Sequence, residues 1–205
     1  LDIRTGTQVA RVEQNGAGVT VTLADGHSLR AGQAVLTLPL GVLKAGTVTF
    51  DPPLPRPHTG AIARLGAGLV AKVALAFDRI HWPDGADALG TPEDSDLPLF
   101  IPIPGAPAIV AIAVGRAAHS IEAMPEATAA AHALAALSRL LNRDLPTPRG
   151  AAVSRWGRDP FARLAYSVAA PGTRAGDFDA LALPAGRLHL AGEHTTGAHR
   201  GTLHG

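Results

Sequence analysis

Apolar and polar positions alternate in two stretches of the first forty residues, which read as β-structure. Val9 to Val12 and Val19 to Leu23 follow this alternation and are rich in β-branched side chains, which predicts half-buried strands. Asp25-Gly26 is a hairpin turn signal. Ala34 to Leu38 is a continuous apolar run ended by Pro39, the pattern of a strand buried on both faces. Asp51 to Pro57 holds four prolines in seven residues, so it is neither helix nor central strand and is the leading boundary candidate. Thr59 to Leu65 predicts a short helix and Leu69 to Phe77 a strand. After a loop rich in Pro, Asp and Gly over residues 83 to 96, strands follow near Leu97 to Ile103 and Ala108 to Val114. Pro125 suits the first turn of a helix whose Ala130, Leu134, Leu137 and Leu141 share one face and which ends before Pro146. Val153 to Trp156 and Leu188 to Ala191 predict further strands. Strands outnumber helices without alternating strictly with them, so the fold class is mixed α+β.

Lys72 interrupts the apolar strand LVAKVALAF. Alternation puts it on one face with Val70, Ala74 and Ala76, while Ala71, Val73, Leu75 and Phe77 line the other. The bulkier row is the expected core. Lys72 then either points to solvent or lines a cavity walled by small residues, and pattern alone leaves both readings open.

Composition narrows the function classes. The chain has 205 residues, 46% of them apolar, and a formal net charge of +1. Its basic residues are scattered singly, so neither nucleic acid nor an anionic membrane surface is an expected partner. No apolar run reaches the ~20 residues of a membrane helix. The absence of cysteine removes disulfides, thiolate metal ligands and cysteine nucleophiles. The chain reads as soluble, and as cytoplasmic rather than secreted. It opens on Leu1 in strand-like sequence and stops at Gly205 within an element, so a fragment of a longer protein is expected.

Three motifs need weighing. Gly66-Ala67-Gly68-Leu69-Val70-Ala71 fits G-x-G-x-x-A, but it follows helix-like sequence and opens a strand, whereas a dinucleotide loop follows a strand and opens a helix. A turn is the better reading. His194, His199 and His204 recur every fifth residue, a spacing that does not stack side chains on one helix face, so no metal site is expected. Leu188 to Gly205 (LHLAGEHTTGAHRGTLHG) runs from a strand into a polar, glycine-rich loop, and Gly201-Thr202 looks like a helix start. Such a loop is either a plain connection or a place where a ligand meets open backbone N–H groups.

Four segments taken in order carry a resemblance. Thr37 to Pro55 (TLPLGVLKAGTVTFDPPLP), the stretch from Lys72 to Trp82, Ser154 to Ser167 (SRWGRDPFARLAYS) and the terminal GEHTTGAHRGTLHG are similar to FAD-dependent amine oxidases. Within them the chain resembles the branch of polyamine oxidases and flavin-dependent lysine-specific histone demethylases. The resemblance spans nearly the whole chain and is weakest from Gly85 to Pro107. It implies a two-part fold, with residues 1–48 and 185–205 in an FAD-binding domain and 49–184 forming a substrate-binding domain. The N-terminal βαβ unit with its glycine loop is absent from this sequence.

The resemblance also implies roles. Lys72 matches a lysine holding a water against flavin N5. Val9, Thr37, Pro39, Trp156, Glu193, Thr202 and Leu203 match positions around the cofactor, with Trp156 beside the ring and Glu193 near the pyrophosphate and ribityl chain. Tyr166 and Thr202 match two sides of the substrate cavity. The implied reaction moves a hydride from the carbon α to an amine onto flavin N5; the imine hydrolyses, and dioxygen reoxidises the flavin with release of hydrogen peroxide. The expected partners are therefore a small-molecule amine and dioxygen. A fold retained without flavin, and a related flavoenzyme such as a desaturase, are the rival readings. Thr202 replaces the tyrosine of monoamine oxidases, so the aromatic cage is expected to be open on one side. Leu164-Ala165 replace a usual Gly-Ser, which adds expected bulk near the cavity.

Overall fold

In the computed structural model, residues 1–92 and 95–202 are described. Along the chain the strands are β1 (Val9–Asn15), β2 (Gly18–Leu23), β3 (Ser28–Ala31), β4 (Ala34–Leu36), β5 (Thr49–Asp51), β6 (Gly66–Gly68) and β7 (Val70–Ala76), then β8 (Leu89–Gly90), β9 (Leu99–Pro102), β10 (Ala108–Val114), β11 (Gly150–Val153), β12 (Tyr166–Val168) and β13 (Leu188–Leu190). The helices are α1 (Leu40–Ala45), α2 (Arg56–Arg64), α3 (Gly115–Ala123), α4 (Glu126–Leu140) and α5 (Asp177–Ala182). They pack as two units, Leu1–Ala67 with Pro160–Gly205, and Gly68–Asp159. The expected divisions at 48/49 and 184/185 sort the chain by what each part would bind; packing sorts it elsewhere.

In the first unit β1 pairs antiparallel with β2 and parallel with β5, giving the order β3-β2-β1-β5. Val12 and Val19 are buried in its core with Leu54, Leu188 and Leu190. The proline-rich segment leads from β5 into α2, whose first turn accepts Pro57 because a first-turn N–H has no helical partner. That is why α2 starts before the expected Thr59. β4 pairs with β13 alone, in parallel. The expected burial of this strand on both faces is wrong: Ala34 and Leu36 pack on the core with Leu188 and Leu190, while Val35 on the opposite face is 67% exposed. A second core joins Leu40 of α1, Ala61 and Leu65 around α2, and Phe178 and Leu181 of α5.

The second unit is an antiparallel sheet in the order β11-β7-β10-β9-β8. One face rests on α3 and α4. Ala71, Val73 and Leu75 of β7 and Ile109, Ala111 and Ala113 of β10 are fully buried there. The row expected from alternation is the core row. Helix α4 buries Ala130 and Leu137 of the expected stripe, with Leu134 and Leu141 partly buried against the same core, and adds Ala129, Ala133 and Ala136, small side chains that let the helix sit close to the sheet. No helix among the described residues is long and apolar enough to cross a membrane.

Candidate functional site

The outer face of the second unit's sheet carries Val70, Lys72, Ala74 and Ala76 from β7, Ala108, Val110, Ile112 and Val114 from β10, and Leu99 and Ile101 from β9. Lys72 is the one charged side chain among them and is exposed. An apolar sheet face left open with a single ammonium on it is an unusual surface for packing alone. Ser154 follows β11 and continues its ladder. Its N–H donates to the Lys72 carbonyl at 2.9 Å, and its Oγ accepts the Lys72 N–H at 2.9 Å. Two residues on, Trp156 stands 46% exposed in a turn. The strand expected over Val153 to Trp156 therefore ends at Val153. Lys72 and Trp156 are linked through the doubly bonded Ser154.

The first unit assembles a second group. Glu193 begins a short 3-10 turn after β13. One carboxylate oxygen accepts the Ser167 N–H at 2.9 Å; the other accepts the Ser167 hydroxyl at 2.6 Å and the Gly201 N–H at 2.9 Å. These three bonds tie β12 to the loop that carries Gly201. Tyr166 precedes Ser167 and is 40% exposed. A side chain added at Gly201 would lie 3.7 Å from the Tyr166 ring, so the ring rests over bare backbone there. Gly201 has φ +70°, a conformation that favours glycine. The Thr202 hydroxyl donates to the His199 carbonyl at 2.6 Å. Next to Glu193, His194 is buried, its Nε2 has no partner among the described residues, and burial pushes its pKa below the ordinary 6.5.

Glu193, Tyr166 and Thr202 thus come together in one unit, and Lys72 and Trp156 in the other. Val9, Thr37 and Pro39 stand on other elements of the first unit: Val9 opens β1, Thr37 is exposed after β4, and Pro39 caps α1. Leu203, His204 and the helix expected to open at Gly201-Thr202 lie outside the described residues. Gly66 to Gly68 form β6 paired with β12, and a side chain on Gly66 would meet Val168 at 2.7 Å. Gly66 serves close packing, and the segment is a paired strand rather than a loop opening a helix. Of the two residues expected to add bulk near the cavity, Leu164 packs inward. Leu164 is buried in the core beside Gly41, where a Cβ would meet its methyl at 2.5 Å. Sequence reasoning missed Ser167 and Glu122 altogether. For Glu122 a signal existed, since it falls with Ala118 and Ile121 on one helical face, a charge in an apolar stripe.

The family model described as flavin containing amine oxidoreductase matches residues 1–205. The chain belongs to this family. FAD is the cofactor of flavin amine oxidoreductases, and among the chain's relatives are polyamine oxidase 4 of Oryza sativa subsp. japonica, 36% identical over 210 residues, and histone demethylase-like protein A of Aspergillus fumigatus, 35% identical over 230 residues. Each match covers 100% of this chain but 43% and 21% of the respective relative, so the chain spans less than half of either. In fold it is similar to wild-type putrescine oxidase bound to putrescine, with a TM-score of 0.81 and 22% identity over 96% of this chain and 45% of that one. The residues present fit the ring end of FAD. Within the first unit, the half-open ring of Tyr166 over the bare backbone at Gly201 suits the edge of a flat heterocycle, while Glu193 uses most of its accepting capacity on Ser167 and Gly201; within the second, Trp156 is a separate half-open ring.

Proposed function

We propose that the protein containing this chain oxidises amines with FAD, and that this chain supplies the substrate-facing residues. The observation that carries the reading is the lone ammonium of Lys72 on an open apolar sheet face, tied through Ser154 to Trp156, in a chain matched by the family model along its whole length. When bound, FAD would supply the acceptor for the hydride, and so for the two electrons, that leaves the amine's α carbon, and dioxygen would restore it with release of hydrogen peroxide. The chain's own residues prepare the amine. An apolar wall raises the cost of an ammonium, and the fixed positive charge of Lys72 adds to that cost, so the neutral amine with its free lone pair is favoured. The three ammonium hydrogens of Lys72 are donors able to hold a water in place. Glu193 fixes the backbone beneath Tyr166 and at Gly201, which sets the ring that bounds the cavity.

The substrate class follows from having one such ring. With Thr202 where a second ring would stand, the cavity is open on that side and admits internal or substituted amines, while Tyr166 contributes ~0.5–2 kcal/mol to a nearby cationic nitrogen. Secondary and polyamine-like substrates are expected over compact arylalkylamines. The test is peroxide release by the full-length gene product with spermine, spermidine, N-methylated amines and benzylamine. Turnover of the first three groups well above benzylamine is expected. Benzylamine turnover with none of the others would overturn the substrate class, and bound flavin with no peroxide from any amine would overturn the reaction.

A further inference from the structure

Glu122 lies in the last turn of α3 and is only 2% exposed. A carboxylate at that depth persists only where a donor meets it. The donor is the backbone N–H of Gly157, 3.1 Å from one carboxylate oxygen and 3.3 Å from the other. Gly157 allows the approach because it has no side chain: a Cβ there would sit 3.0 Å from the Glu122 carboxylate and 3.1 Å from the methyls of Leu69. Arg155 reaches the same helix end from the other side of the turn, donating to the carbonyls of Glu122 and, at 2.9 Å, Met124. A guanidinium there satisfies carbonyls that the helix leaves unpaired. Trp156 is the residue between these two anchors, and Ser154 fixes the strand side through both of its bonds to Lys72. An indole left half open by its surroundings is thus held from behind, through the backbone on either side of it.

We infer that Glu122 is a positioning residue for Trp156: its buried carboxylate, through the Gly157 N–H, fixes the turn that presents the indole. The consequence for catalysis rests on the reading of Trp156 as a ring beside the flavin; the positioning itself does not. Glu122 touches neither substrate nor cofactor on this inference. Its removal should act through Trp156 and should be relieved by any residue that keeps an oxygen facing Gly157.

The test uses the flavin-loaded, full-length gene product carrying W82F, so that within residues 1–205 Trp156 is the remaining tryptophan. Acrylamide quenching reports the accessibility of its indole. E122A should change the quenching constant, E122Q should restore most of the wild-type value because its amide oxygen still accepts the Gly157 N–H, and G157A should reproduce the E122A signature from the opposite side. Where E122A fails to fold, G157A carries the comparison. In the same proteins amine-driven flavin reduction should slow about tenfold or more in E122A and recover in E122Q, as small misplacements of positioned groups do. Equal quenching in wild type, E122A and G157A would overturn the inference. Altered quenching in E122A and G157A, rescued in E122Q, with an unchanged flavin spectrum and reduction rate would uphold the positioning and remove Trp156 from the flavin's side.

Discussion

Lys72 shows how a single charge gains meaning from its neighbours. On its own strand it is one exposed lysine among small residues, and alternation places it on the outer face, away from Ala71, Val73 and Leu75. The strands beside it turn that face into an apolar surface with no second charge from β9 or β10. Replacing Lys72 by methionine keeps the length and removes the ammonium. In the full-length protein K72M is expected to leave flavin bound and to slow its reduction or reoxidation by ~10²-fold or more, the usual cost of one positioned group. Stopped-flow traces of the two half-reactions give the comparison, and unchanged rates in both would return Lys72 to an ordinary surface role. The side taken by Lys72 was legible because period-two alternation is a local property. The roles of Ser167 and Glu122 were not, since each depends on a partner 26 or 35 residues away brought close only by the fold.

Among elements, long and strongly patterned segments were readable and short ones were not. β7 and β10 emerged nearly to the residue because each is a seven-residue apolar run, broken only by Lys72. Helices α1 and α5 were missed: they have six residues each, too few for a periodic signal, and packing rather than propensity holds them; α3 was missed although its buried face repeats at helical spacing. Helix α5 is an example. Its Asp177 is buried and receives a bidentate pair of bonds from Arg64 of α2 at 2.6 and 2.9 Å, plus the Arg174 N–H at 2.7 Å. The Arg64 guanidinium is the main cause holding the Asp177 carboxyl at a pKa of about 2, below its ordinary 3.8. A depressed carboxyl stabilises the fold fully above its unfolded pKa and loses that contribution as pH falls through its folded one. The α2–α5 junction should therefore weaken between about pH 4 and pH 2. D177N should lower the melting temperature by several degrees at neutral pH, and the gap from wild type should narrow toward pH 2. A gap independent of pH across that range would contradict the assignment.

At the scale of the whole molecule, each packed unit carries one group of the residues that family resemblance marks, Lys72 with Trp156 in one and Glu193, Tyr166 and Thr202 in the other. The family and the mixed α+β class were legible because four motif segments keep their order along the chain. The packing boundaries at 67/68 and 159/160 were not, because no composition shift marks them. The chain's one G-x-G-x-x-A segment is spent on the β6–β12 pairing, and relatives run to more than twice its length. This chain spans less than half of those relatives, and we expect a grip on the pyrophosphate from the part it does not span. The deciding measurement is the oxidised-flavin absorbance of desalted protein, taken for the 205-residue chain and for the full-length gene product before and after a polyamine is added without oxygen. The short chain should be colourless and the long one yellow, bleaching when the amine arrives. Stoichiometric flavin on the short chain would contradict the shared cofactor site, and flavin on the long one that no amine bleaches would contradict amine oxidation.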